Sequence, residues 1–110
     1  MRNTHVLIDL WGGEDGVLKR VEPMRSVLSA AVVESGARIL HVHFHQFEPH
    51  GFTGVYVIAE SHVTVHTWVE ERFMAVDILC CGRMRWPVIL DALRRAVRPE
   101  RERVRRERRG

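Results

Sequence analysis

Seven histidines stand among 110 residues, and three of them form His41-x-His43-x-His45. Alternate residues of a strand share a face, so imidazoles at i, i+2 and i+4 could address one metal ion. No carboxylate or cysteine nearby completes a familiar ligand set, so the expected role is a polar or interface-facing strand face, with no metal. Glu60-Ser61-His62 is more unusual. It lies where the apolar run Val55-Tyr56-Val57-Ile58-Ala59 gives way to the alternating segment His62 to Trp68. A serine hydroxyl there, with His66 a few residues on and Cys81 one strand further, offers a nucleophile, a base and an acid. By residue type alone such a trio means little in a small protein. A hydrolase fits poorly, because Ser61 lacks the flanking glycines of a nucleophile elbow.

The elements that must position these groups are readable from periodicity. Thr4 to Leu10 is a β-rich run that ends at Gly12-Gly13, a strand followed by a breaker. Apolar residues at 17, 18, 21, 24, 27, 28, 31 and 32 have helical spacing. Pro23 is tolerated only in a first turn, so the main helix is expected to begin near Glu22 and to end at Gly36. Strands are expected at Arg38–Phe47, Val55–Ala59, His62–Trp68 and Phe73–Cys80, and a helix at Trp86–Val97. The order is summarised as β-α-β-β-β-α. Short links favour antiparallel pairing, and both helices should stack on one sheet face. The predicted fold class is thus a two-layer α/β (α+β) sandwich whose second sheet face needs a cover, most simply a second copy.

Composition narrows the function. A chain of this length fits one domain, and no apolar run approaches the roughly 20 residues that span a bilayer. The N-terminal residues lack the apolar stretch of a secretory signal. Cys80 and Cys81 are adjacent, so a bridge between them would be strained, and a reducing cytoplasmic setting is expected. The net charge of +3 is unevenly spread: residues 94–110 carry nine Arg and three Glu, whereas residues 1–93 are net −3. We divide the chain into a domain at 1–97 and an Arg-rich tail at 98–110. With one apolar side chain after Pro99, that tail is expected to be frayed or partly helical. No aromatic residue interleaves with the arginines, so nucleic-acid binding is not expected, and a solubilising role is the simpler reading.

Gly51-Phe52-Thr53-Gly54-Val55-Tyr56-Val57-Ile58-Ala59-Glu60-Ser61-His62-Val63-Thr64-Val65-His66-Thr67-Trp68 resembles the core of the short prokaryotic S-adenosylmethionine decarboxylases. Phe44-His45-Gln46-Phe47, Ala75-Val76-Asp77-Ile78-Leu79-Cys80-Cys81-Gly82 and Glu34-Ser35-Gly36-Ala37 extend the resemblance, which runs from about Thr4 to Gly82 and fades into the tail. Members of that family are proenzymes that cut themselves between Glu and Ser.

The resemblance implies that Ser61 attacks the carbonyl of Glu60 and, after elimination, becomes an N-terminal pyruvoyl group, the cofactor that accepts the substrate amine. It implies that Thr53 assists processing, that His66 is the processing base, and that Cys81 returns the proton to the decarboxylated substrate. Cys80 replaces a residue that is usually Thr, so two thiols compete for that role. Phe47 corresponds to an aromatic that stacks on adenine, Glu70 to a carboxylate that binds ribose, and Trp68 lies in the same His-Thr-Trp segment. The family also implies a homodimer, an αββα stack with sites at the interface, and a place in spermidine synthesis. Val69 replaces a proline, and Glu71-Arg72 replaces a Tyr-Gly pair, so the loop beside the nucleoside site is expected to gain flexibility and two charges. Alternatives are the same machinery acting on arginine or ornithine, an unprocessed regulatory relative, or a nucleic-acid module built on the tail.

Overall fold

A computed structural model describes residues 3–110. The chain runs β1 (Asn3–Trp11), α1 (Asp15–Lys19), α2 (Val21–Glu34), β2 (Ile39–Gln46), β3 (Phe52–Ile58), β4 (Ser61–Trp68), β5 (Phe73–Cys81), α3 (Pro87–Val97) and β6 (Arg101–Arg109), with a 3₁₀ turn at Val69–Glu71. All pairings are antiparallel, in the order β2-β3-β4-β5-β1-β6. Four strands, one more than the summarised order counts, separate α2 from α3. Among the described residues no helix is long and apolar enough to cross a membrane.

Period-2 alternation decides which side chains enter the core. Val6, Ile8 and Leu10 of β1, Val63 and Val65 of β4, and Met74, Val76 and Ile78 of β5 are buried, and their neighbours along each strand are less so. They meet Met24, Leu28, Ala31 and Val32 of α2 and Ile89, Leu90, Leu93 and Val97 of α3. Each fully buried Leu or Ile contributes about 1.5–3 kcal/mol relative to exposure. Glu22 has non-helical backbone angles, so the regular part of α2 starts at Pro23, as a proline in a first turn requires. Gly36, at φ +95°, follows the helix end. At Gly54 the Phe44 ring fills the place a Cβ would take, which lets that aromatic pack edge-on to Tyr56.

The helices cover one face, and the other carries the alternate residues of every strand. Six of the seven histidines (5, 41, 43, 45, 62 and 66) project from it, with Thr53, Asp77 and Cys81. His41, His43 and His45 do share one face of β2, which is an edge strand.

The tail is the principal departure from expectation. Residues 101–109 are not frayed: they form β6, paired with the outer edge of β1 from Trp11↔Arg101 to Asn3↔Arg109. Composition was the wrong guide, because a strand added to an open edge gains main-chain hydrogen bonds whatever its side chains. Arg and Glu also suit an exposed edge. Local contacts fix the register: Glu100 N–H donates to Trp11 O at 2.8 Å, the Arg101 guanidinium lies 4.1 Å from the Trp11 ring centroid, and Arg94 forks onto Glu102. The sheet therefore continues through residue 109.

Candidate active site

Ala59 and Glu60 form the two-residue link between β3 and β4, with Ile58 paired to Ser61. Ser61, the first residue of β4 after that link, takes φ +148°. That region is essentially reserved for glycine and costs on the order of 1–3 kcal/mol. The link is pinned from outside: the Glu60 carboxylate accepts from Arg38 N–H at 3.1 Å, and Ala59 N–H donates to Arg38 O at 2.9 Å. On the inner side the Cys81 thiol donates to the carbonyl oxygen of Glu60 at 3.3 Å. A strained peptide with a hydroxyl on one side and a polarised carbonyl on the other is suited to intramolecular acyl transfer.

The structure separates the two thiols. Cys80 is buried on the helix-facing side, where burial pushes its pKa up, followed by the effect of neighbouring Cys81. Cys81, one residue on, emerges on the open face beside Glu60.

A second group gathers at the other end of β3 and β4. Thr53 and His66 are cross-strand partners, with Oγ1 and Nδ1 3.2 Å apart. Trp68, 44% exposed, follows; its ring stacks on Phe73 at 5.4 Å, and Phe73 stacks on Trp11 at 5.2 Å. Phe47 is exposed and meets His45 edge-on at 4.7 Å. Gln46 ties down the loop beyond it, its amide donating to Lys19 O at 2.8 Å and Gly51 O at 2.9 Å. Glu70, in the 3₁₀ turn, accepts from His50 at 3.0 Å; its own backbone N–H, then His50, hold its carboxyl below the usual range. The five residue steps from Ser61 to His66 span about 16 Å of extended strand. One chain thus brings Glu60, Ser61 and Cys81 together, and Thr53 and His66 together, but keeps the two groups apart.

The Glu71-Arg72 segment is better anchored than its composition suggests. Arg72 closes the 3₁₀ turn at φ +49°, donates through its guanidinium to Gly13 O at 3.0 Å, and its carbonyl accepts from Gly12 N–H at 2.8 Å. The two charges are present, and Arg72 ties the loop to the Gly12-Gly13 turn through both its main chain and its guanidinium.

Residue typing overlooked a trio on the open face. Asp77 Oδ2 lies 2.7 Å from His5 Nε2 and 3.1 Å from His62 Nε2, and Thr64 donates to Oδ1. Burial alone would raise the Asp77 pKa, but the hydrogen bonds from Thr64, His5 and His62 outweigh it and hold the carboxyl low. The available signal was a lone carboxylate inside the apolar strand Ala75-Val76-Asp77-Ile78-Leu79.

Comparison with known proteins bears on the whole chain. The model of the family described as S-adenosylmethionine decarboxylase matches residues 4–110, so the likeness extends through β6 and does not fade at Gly82. An S-adenosylmethionine decarboxylase proenzyme of Persephonella marina is 46% identical over 78 residues, 71% of this chain and 59% of the relative. The proenzyme of Thermodesulfovibrio yellowstonii is 45% identical over 86 residues, 78% of this chain and 64% of the relative. The matched part thus spans less than two thirds of either relative's length. Among solved structures, the adenosylmethionine decarboxylase of Aquifex aeolicus superposes with a TM-score of 0.89 at 33% identity, covering 98% of this chain and 90% of that one. The Trypanosoma brucei AdoMetDC-delta26 monomer shares the fold, with a TM-score of 0.64 at 17% identity. The sequence match across nearly every residue, together with the shared sheet and helix arrangement, means that this chain belongs to the S-adenosylmethionine decarboxylase family.

Proposed function

We propose that this chain cuts its own backbone between Glu60 and Ser61, and that the pyruvoyl group so made at residue 61 serves the decarboxylation of S-adenosylmethionine, supplying an aminopropyl donor for spermidine synthesis in the cytoplasm. The observation that carries this reading is the Glu60–Ser61 link itself: Ser61 strained at φ +148° and the Glu60 carbonyl held by the Cys81 thiol at 3.3 Å.

The chemistry follows from those groups. Ser61 Oγ adds to the Glu60 carbonyl carbon, and the Cys81 S–H faces the oxygen on which negative charge builds. The C–N bond then breaks, giving an ester between Glu60 and Ser61 Oγ and a free amine at residue 61. A base, assigned to His66 Nε2 with Thr53 Oγ1 orienting the ring through Nδ1, removes the α-proton of residue 61. The ester then leaves as the Glu60 carboxylate, and hydrolysis of the remaining enamine releases ammonia. The resulting keto group, conjugated to the His62 amide, supplies an electron sink for loss of an α-carboxylate. Cys81 Sγ, on the same side of the sheet as residue 61, holds the proton that the substrate α-carbon needs afterwards. Phe47 and Trp68 offer aromatic faces to adenine and the sulfonium cation, and Glu70 offers a carboxylate to ribose hydroxyls.

The reading requires two copies. His66 sits about 16 Å along the strand from Ser61 of its own chain, too far for proton transfer. Packing the open sheet face against that of a second copy in reversed direction brings each His66–Thr53 pair toward the other chain's Ser61. The same contact covers the exposed Val55, Val57 and Trp68. The homodimer is therefore part of the proposed site, with S-adenosylmethionine as its small-molecule partner.

Denaturing mass spectrometry tests the first step: two chains that meet at Glu60/Ser61, the second lacking an amine terminus, are expected in place of the 12.8 kDa chain. A single intact species that nonetheless releases CO₂ would overturn the mechanism. Release of labelled CO₂ from S-adenosylmethionine, in preference to arginine or ornithine, tests the substrate.

A further inference from the structure

We propose that His5, His62 and Asp77 form a binding site for one divalent transition-metal ion of the zinc class, which would tie together the three central strands of the sheet. Register creates the site. His5 on β1 and His62 on β4 both stand opposite Leu79 of β5, one on each side, and Asp77 lies two residues away on the same face of β5. The two imidazoles therefore lean over one carboxylate from opposite flanks. Their rings are edge-on with centroids 6.0 Å apart, and the three donor atoms lie within 4.8 Å of one another. Among the described residues this is the one such group of three, and the His41, His43, His45 row does not form another.

The donor set matches the chemistry. Two imidazole nitrogens and a carboxylate oxygen suit Zn²⁺, which binds each at about 2.0–2.2 Å. Tetrahedral ligands at that radius stand about 3.3 Å apart, close to the observed 2.7 and 3.1 Å spacings from Asp77 Oδ2 to the two nitrogens. Insertion needs only that each imidazole carry its proton on Nδ1 and open slightly. Thr64 already donates to Asp77 Oδ1, leaving Oδ2 for the ion, the outer-shell support that ligating carboxylates usually have. Arg109, exposed at the end of β6, has Nη1 3.4 Å from His5 Nδ1 and must swing toward solvent when that nitrogen is protonated. In a single chain the three side chains are 20–35% exposed, so a fourth position faces the side of the sheet that the second copy would pack against in the proposed dimer.

One consequence rests on the self-cleavage reading: His5 would end on the N-terminal product and His62 with Asp77 on the C-terminal one, so the ion would join the two. Metal uptake itself does not depend on cleavage. Full-length wild-type and Ser61→Ala proteins, freed of metal with a chelator, are titrated with ZnCl₂ by calorimetry and with CoCl₂ by visible absorption. We expect one ion per chain in both, a tetrahedral Co²⁺ ligand-field band, and a rise in melting temperature on zinc addition. His5→Gln and Asp77→Asn should weaken binding at least ten-fold, whereas a triple His41→Gln/His43→Gln/His45→Gln variant should bind as wild type. Ring resonances of ¹⁵N-histidine-labelled wild-type protein report the ligands without any substitution, and zinc should move those of His5 and His62. Absence of stoichiometric uptake by the wild type, or shifts confined to His41, His43 and His45, would overturn the proposal and leave a hydrogen-bonded trio.

Discussion

The Cys81 thiol and the Glu60 carbonyl oxygen are hydrogen-bonded at 3.3 Å across the gap between β5 and the β3–β4 link. In the proposed reaction that contact gives the thiol two roles: aimed at the oxygen of the bond to be broken it can help open it, and afterwards it lies beside residue 61, where a proton would be delivered.

Removing that donor should therefore affect both steps. Cys81→Ala is expected to cleave about ten-fold more slowly, less than the loss from a strong oxyanion donor because S–H is a weak one. Its CO₂ release should fall further than its cleavage rate. A time course of intact mass, followed by turnover of the fully cleaved material, separates the two effects. Unchanged cleavage would limit Cys81 to the later step.

The about 16 Å between Ser61 and His66 along β4 makes a sharper prediction about the dimer. Co-expressed, differently tagged Ser61→Ala and His66→Ala chains should complement: the His66→Ala chain is expected to cleave inside the mixed dimer and to remain intact alone. The Ser61→Ala chain should stay whole in either case. If the His66→Ala chain remains intact in isolated mixed dimers, each site is built from one chain.

Thiol-modifying reagents should distinguish the neighbouring cysteines. Cys80 is buried and its pKa is pushed up, so at neutral pH it remains a shielded thiol. Cys81 is partly exposed and should react at least ten-fold faster in folded, uncleaved Ser61→Ala protein, as peptide mapping after brief alkylation would show. Equal rates would mean that the strand face assigned to these residues is wrong.

Much of this arrangement was legible because local period and global fold agree. The alternation of His62 to Trp68 and the helical spacing around Leu28 each point to one buried side, and Pro23 marks where α2 becomes regular. Ser61, His66 and Cys81 were recognisable as a set only through family resemblance, since residue type says nothing of distance. Their separation into two groups emerged only with the register Thr53↔His66. Two features escaped for physical reasons. The β6 segment reads as frayed or partly helical because composition weighs side-chain burial and ignores the hydrogen bonds a vacant edge offers. The His5–Asp77–His62 trio joins residues up to 72 apart in sequence, and no local spacing encodes that.

The same edge argument predicts how the chain responds to acid and to truncation. Arg94 forks onto Glu102 and holds its carboxyl below the usual range. A carboxylate whose folded pKa is depressed adds stability that is present above its ordinary pKa and fades as pH falls through the lowered value. Both side chains are largely solvated, so this pair is worth no more than about 0.2–1 kcal/mol. Glu102→Gln should accordingly lower the melting temperature by a few degrees at neutral pH, with the difference from wild type fading only as pH falls below the ordinary glutamate range and through the lowered value. Deleting residues 99–110 removes far more: the whole β1–β6 ladder, the partly buried Val104 and the guanidinium over Trp11. A drop of about 10 °C or more is expected, with concentration-dependent aggregation through the bared edge of β1. Matched melting curves and light scattering provide the check. A truncated chain that melts and disperses like the full one would show that β6 contributes nothing to the fold, whatever its pairing.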